Sequence, residues 1–161
     1  MKNKSCFFTG HRIIPAAHRE LLINQTRDAA LWLIENRDIT DFIAGGALGY
    51  DTLAEMLILR LRGQYPQIKL HLYLPCHNQT AKWNKADKAL WQRIITNADS
   101  IRYITEGNYI TGCMQIRNKA MVNDAQYGIV YLTHRRSGTY NTVELARSQG
   151  RVLALLPRAK H

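Results

Sequence analysis

Short apolar runs alternate with helical patterns along the whole 161-residue chain, and this alternation restricts the fold more than any other feature. Six runs read as strands: 5–9, 41–44, 68–74, 100–104, 128–132 and 151–156. Four of them end at Gly or Pro (Gly10, Gly45, Pro75, Pro157), residues that stop a strand. Between the runs, apolar residues recur at helical spacing. Ala54, Leu57, Ile58 and Leu61 fit the i, i+3, i+4, i+7 template. Leu22, Ala29 and Leu33 share a face that Ile23, Ala30 and Ile34 widen, and Ala86, Leu90 and Ile94 repeat the pattern after Trp83. Helices are also expected over about 112–125 and 142–149, the last closed by Gly150 as a C-cap. Trp32, Trp83 and Trp91 are expected to pack in helical surroundings.

Strands alternating with helices predict βαβ units. The expected fold is α/β and Rossmann-like: a mainly parallel sheet of about six strands with helices on both faces, formed as one domain over residues 1–161. Right-handed crossovers then bring every strand-to-helix loop to one edge of the sheet. The longest loops, 75–83 and 105–111, are where a lid would sit.

Composition narrows the partners. Hydrophobic residues make up 46% and charged residues 21%, which excludes a disordered or fibrous chain. No apolar run has the length of a bilayer span, so no membrane partner is expected. The start, Met1 to Phe8, is too short in apolar residues for a signal-peptide core, which makes the cytoplasm the expected location. Cys6, Cys76 and Cys113 are odd in number and far apart, giving neither a disulfide framework nor a zinc pattern; no metal or cofactor is expected. The formal net charge of +10 favours anionic partners, nucleotides or nucleic acid.

Three loops at the expected strand ends carry chemistry. The first is Thr9-Gly10-His11-Arg12. The second is Gly45-Gly46-Ala47-Leu48-Gly49-Tyr50-Asp51. The third runs from Arg135 through Ser137, Gly138 and Thr139 to Thr142, with Glu144 beyond. Glycines admit positive φ and close approach of a ligand. The helix that follows directs free N–H groups and its positive dipole end at the loop, an arrangement that holds phosphate. Ser137, Thr139 and Thr142 add hydroxyl donors, and Arg12, Arg117 or Arg135 adds charge-assisted bonds. The second loop is neither a dinucleotide fingerprint nor a Walker loop.

Each residue has a plainer reading beside this one. His11 is a phosphate ligand or proton donor, or a loop histidine satisfied by backbone. Asp51 binds ligand or caps the helix after it. Arg117 and Asp124, seven apart, form one solvated helix face by default. Glu144 falls in the first turn of its expected helix, where a carboxylate is favoured for its own sake.

At these loops, and at Met114-Gln115-Ile116-Arg117-Asn118-Lys119-Ala120-Met121, the sequence resembles the SLOG superfamily, and within it the YspA/YpsA-like branch. That superfamily joins the Smf/DprA DNA-processing proteins to the LOG phosphoribohydrolases. The resemblance implies a Rossmann-like fold and a nucleotide-type ligand. It also implies two activities to weigh: cleavage of the N-glycosidic bond of a nucleoside 5′-monophosphate, as in LOG enzymes, or sensing of a nucleotide-derived signal. In the hydrolytic version Arg117 and Glu144 are the catalytic pair, Glu144 acting on water or on the oxocarbenium-like centre. The LOG motifs are only partly matched. Gln115 stands for their histidine and Asn118 for their lysine. With Thr142 set at the motif threonine, Glu144 follows two residues later instead of three. The alternative function is a DprA-like single-stranded nucleic-acid-binding module, and LOG relatives suggest a homo-oligomer.

Overall fold

The computed structural model describes residues 2–159. Six parallel strands, β1 (Ser5–Gly10), β2 (Asp41–Ala44), β3 (Lys69–Leu74), β4 (Ser100–Tyr103), β5 (Tyr127–Tyr131) and β6 (Val152–Leu156), form one sheet in the order β4-β3-β2-β1-β5-β6. The crossovers are α1 (Ala16–Arg37), α2 (Tyr50–Leu61), α3 (Lys85–Asn97), α4 (Cys113–Asp124) and α5 (Gly138–Ser148). A short 3₁₀ turn, Lys2–Lys4, leads into β1.

Strand residues alternate between two cores, as a period of two requires. Cys6, Phe8, Phe42, Ala44, Ile129 and Tyr131 face the larger core, which α1, α2 and α3 cover. Phe7, Ile43 and Val130 face the other, covered by α4 and α5. Each fully buried Phe, Leu or Ile contributes roughly 1.5–3 kcal/mol of transfer free energy. With Phe7, Phe8, Phe42 and Ile43 fully buried, the middle of the sheet is dry on both sides.

The strand order decides where a ligand can enter. From β1 the chain moves outward through β2 and β3 to β4, then returns to place β5 on the other side of β1. The loops leaving β1 and β5 therefore run to opposite faces and open a crevice between them. Open α/β sheets bind ligands at such a switch point.

Several local expectations change. The last helix begins at Gly138, four residues before the expected start, because the Ser137 hydroxyl accepts the Tyr140 amide at 3.1 Å and nucleates the first turn there. Trp83 lies in the turn before α3, and Trp32 is half-exposed beneath the Arg37 guanidinium, 4.7 Å from its ring centroid. The two long loops brace each other. The Tyr109 amide donates to Asn78 Oδ1 at 2.7 Å, the His77 amide to the Gly107 carbonyl at 3.0 Å, and the His77 ring stacks on Tyr103. No helix is long and apolar enough to cross a membrane among the described residues.

Candidate functional site

A cavity of about 400 Å³ opens at the switch point. Its lining comes from the loop after β1, the start of α2, α4 and the first turns of α5. Of the residues expected at a site, Thr9, Gly10, His11, Arg12, Asp51, Arg117, Ser137, Gly138, Thr139 and Thr142 line it; Gly45, Gly46, Gly49 and Glu144 do not.

At the end of β1, Gly10 is required by packing: a Cβ there would lie 2.6 Å from the Tyr50 ring. His11 then bridges the crevice. Its Nε2 accepts the Thr133 amide at 2.8 Å, and its ring stacks on His134 at 4.0 Å between centroids. Burial, and next the neighbouring His134, push the His11 pKa down. A ring nitrogen that accepts from a backbone amide carries no proton, so His11 is neutral with its hydrogen on Nδ1. Arg12, the next residue, is exposed at the cavity wall.

The loop after β2 turns two of its amides to carboxylates of α2. The Gly46 amide donates to Glu55 Oε2 at 2.9 Å and the Ala47 amide to Asp51 Oδ2 at 3.2 Å. Side chains on a helix lean toward its N-terminus, so Asp51 and Glu55, four apart on α2, both reach back over the loop. The amides expected to face phosphate are bonded to carboxylates instead. Asp51 therefore ties down its own loop and does not cap α2, whose N-cap is Gly49 with no side-chain bond. Gly49 serves the chain in another way: at φ 82° a Cβ would run into the Arg12 backbone.

Arg117 is the strut of the site. It is 5% exposed and does not share a solvated face with Asp124, which instead accepts from the Tyr73 hydroxyl and Arg102. Arg117 Nη1 donates to the Gly45 carbonyl at 2.5 Å and its Nε to Asn118 Oδ1 at 2.8 Å. Gly45 lacks a Cβ because that atom would overlap the guanidinium. Desolvation pushes up the pKa of Asp51, opposed first by Arg117; desolvation and then the Asp51 charge push Glu55 well above the carboxylate range. One buried guanidinium thus faces two buried carboxyls.

On the opposite wall, α5 presents its first turn. Its opening amides have no intrahelical partner. Ser137 satisfies that of Tyr140, while Gly138 and Thr139 line the cavity, and a Cβ at Gly138 would meet no atom within 4 Å. Thr142 lies 3% exposed with its hydroxyl on the Gly138 carbonyl at 2.9 Å. Glu144 does not lie in the first turn of α5. Because α5 starts at Gly138, Glu144 stands in the second turn, half-exposed and paired with Arg147 at 3.2 Å. Thr142, not Glu144, faces the cavity from this helix.

Ala47, Met114, Gln115, Asn118, Asn141 and Leu145 also line the cavity, unassigned from sequence. Glu55 was missed as well, although its position four residues after Asp51 was a usable signal.

The family model described as the YspA SLOG family matches residues 16–149. The chain belongs to this YspA SLOG family. Among curated relatives, an uncharacterized SPbeta prophage-derived protein of Bacillus subtilis, YoqJ, is 28% identical over 71% of this chain and 74% of its own length. A UPF0398 protein of Brevibacillus brevis is 28% identical over 68% of this chain but only 53% of that protein. Among solved structures, DNA processing protein A of Streptococcus pneumoniae superposes with a TM-score of 0.73 at 22% identity, covering 98% of this chain and 52% of that one. The Helicobacter pylori protein, whose structure concerns its single-stranded DNA binding mode, gives 0.68 at 19% identity, with 98% and 67% covered. These likenesses show the Rossmann-like fold of a SLOG domain, which spans about half of the Brevibacillus and Streptococcus chains.

Proposed function

We propose that this SLOG domain binds a nucleotide or nucleotide-derived ligand, of nucleoside monophosphate or ADP-ribose type, with its phosphate on the first turn of α5. One observation carries the reading: the first-turn amides at Gly138 and Thr139 and the exposed Arg12 converge on a single cavity at the switch point, while the Ser137 hydroxyl, bonded to the His134 carbonyl and the Tyr140 amide, fixes the helix start. A helix start with its dipole, backed by a guanidinium, is a strong anion site. The net charge of +10 favours an anion further.

Sensing is preferred to N-glycosidic hydrolysis. Glu144 is exposed beside Arg147, and Arg117 is engaged by Gly45 and Asn118, so the LOG-type catalytic pair is not assembled in the cavity. Isothermal titration with AMP, ADP-ribose and inorganic phosphate tests the reading. Binding that weakens about tenfold or more in Arg12→Ala is expected. Absence of heat for all three ligands, with folded protein, overturns it.

The second reading, a single-stranded nucleic-acid-binding module, is favoured by the charge and by the DNA processing protein neighbours. It predicts affinity for oligonucleotides that falls steeply with salt. No Phe, Tyr or Trp is among the described residues that line the cavity, and the His11 ring is already stacked on His134, which counts against a base-stacking platform. A homo-oligomer in the cytoplasm completes the proposal, with light scattering as the check on assembly.

A further inference from the structure

The cavity is electrically divided. Its α5 wall and Arg12 attract an anion, whereas Asp51 is the one acidic residue among the described residues that line it. A phosphate on Asp51 would meet a like charge. A ligand filling both ends needs an anionic group at one and hydrogen-bond donors at the other.

The acidic part of the lining is Asp51. Arg117 alone is buried with two carboxyls, and it neutralises one of them. Glu55, at 1% exposure, lies outside the lining, and burial and then the Asp51 charge push its pKa well up. Burial pushes the Asp51 pKa up, and Arg117, the Ala47 amide and Arg12 oppose that push. Its Oδ2 accepts the Ala47 amide, and a carboxylate has about four lone-pair sites, so acceptor capacity is left for a ligand. Asp51 is the carboxylate of this lining, and a carboxylate is the strongest hydrogen-bond acceptor that a ligand's hydroxyls can meet there.

We propose that Asp51 accepts hydrogen bonds from the sugar hydroxyls of the bound ligand, making the cavity selective for ribose phosphates over their deoxy counterparts. This rests on the reading that the cavity binds a nucleotide-type ligand. A vicinal diol offers two O–H donors to one carboxylate, and charge-assisted bonds of this kind are the stronger class. A buried acceptor left unpaired is costly, so a site built around a hydroxyl rejects the analogue that lacks it. Asp51 also disfavours DNA twice over, through the missing 2′-hydroxyl and through repulsion of a second phosphodiester.

The test is isothermal titration of AMP and 2′,3′-dideoxy-AMP into the wild-type protein and into Asp51→Asn, which retains an acceptor for the Ala47 amide. Wild-type protein is expected to prefer AMP by about tenfold or more. In Asp51→Asn that preference should collapse to within about twofold, with AMP falling to the affinity of the dideoxy compound. Equal affinity of the wild type for both nucleotides overturns the proposal while leaving phosphate binding intact, and so does a preference unchanged in the variant. If neither nucleotide nor inorganic phosphate binds, the anion-site reading falls and this inference with it. Should Asp51→Asn not fold, Asp51→Ser takes its place, and equal affinity of the wild type for both nucleotides still overturns the proposal.

Discussion

Arg117 does two jobs that a surface reading of its helix does not suggest: it fastens the Gly45 carbonyl and it balances charge beneath the cavity. Removing one partner of a buried charge cluster strands the others. Arg117→Met should therefore cost about 3–5 kcal/mol, read as a lower urea midpoint. Glu55 gives a pH signature. Its pKa is raised in the folded state above the ordinary 4.5, so the folded protein holds a proton that the unfolded chain releases. That contribution is complete below the unfolded pKa and is lost as pH rises through the folded one. Glu55→Gln keeps an acceptor for the Gly46 amide and cannot ionise. As pH rises above the ordinary carboxylate range the wild type should lose stability relative to this variant, as thermal melts over a pH series will show. At Glu144 the opposite is expected. An exposed i,i+3 pair is worth little, so Glu144→Ala should change stability by less than about 0.5 kcal/mol and leave nucleotide binding unaltered.

Element by element, the start of α5 controls the most. Ser137 sets the helix origin, and the origin sets which side chains face inward: Thr139 and Thr142 do, Glu144 does not. Loss of an N-cap hydroxyl costs about 1 kcal/mol. Ser137→Ala should lower the melting temperature accordingly and also weaken AMP, since fraying of the first turn disperses the amides at Gly138 and Thr139. Unchanged AMP affinity in a destabilised Ser137→Ala would separate the helix start from the ligand. The start of α2 works by the reverse logic, its carboxylates turned back to occupy the loop amides. Two glycine-bearing loops that look alike in sequence thus differ: the one before α5 lines the cavity, and the one before α2 has amides bonded to acids.

For the whole molecule, the return of the chain to β5 beside β1 creates the crevice, and the loops around it are fastened across the sheet. The Tyr50 amide donates to the His11 carbonyl at 3.1 Å, His11 reaches Thr133, and Gly49 passes against the Arg12 backbone. Gly49→Ala combines a strained φ with backbone overlap. It should cost about 1–3 kcal/mol or more and displace Arg12, so stability and phosphate binding are expected to fall together in calorimetry and titration.

Local chemistry made much of this legible in advance. The strand runs, the helical stripe of Ala54, Leu57, Ile58 and Leu61, and the gathering of strand-end loops on one edge all follow from periodicity and connection rules acting over a few residues. The loops at Thr9–Arg12 and Ser137–Thr142 could be recognised for the same reason. What sequence left open were questions of partnership between distant segments. Whether an amide at Gly46 meets solvent or Glu55, whether Arg117 lies on a surface or under Gly45, and whether Glu144 points in or out depend on the three-dimensional register of α2, α4 and α5. A helix rotates by about 100° per residue, so a start displaced by a few residues reassigns every side chain on it. Only packing against the sheet sets that rotation.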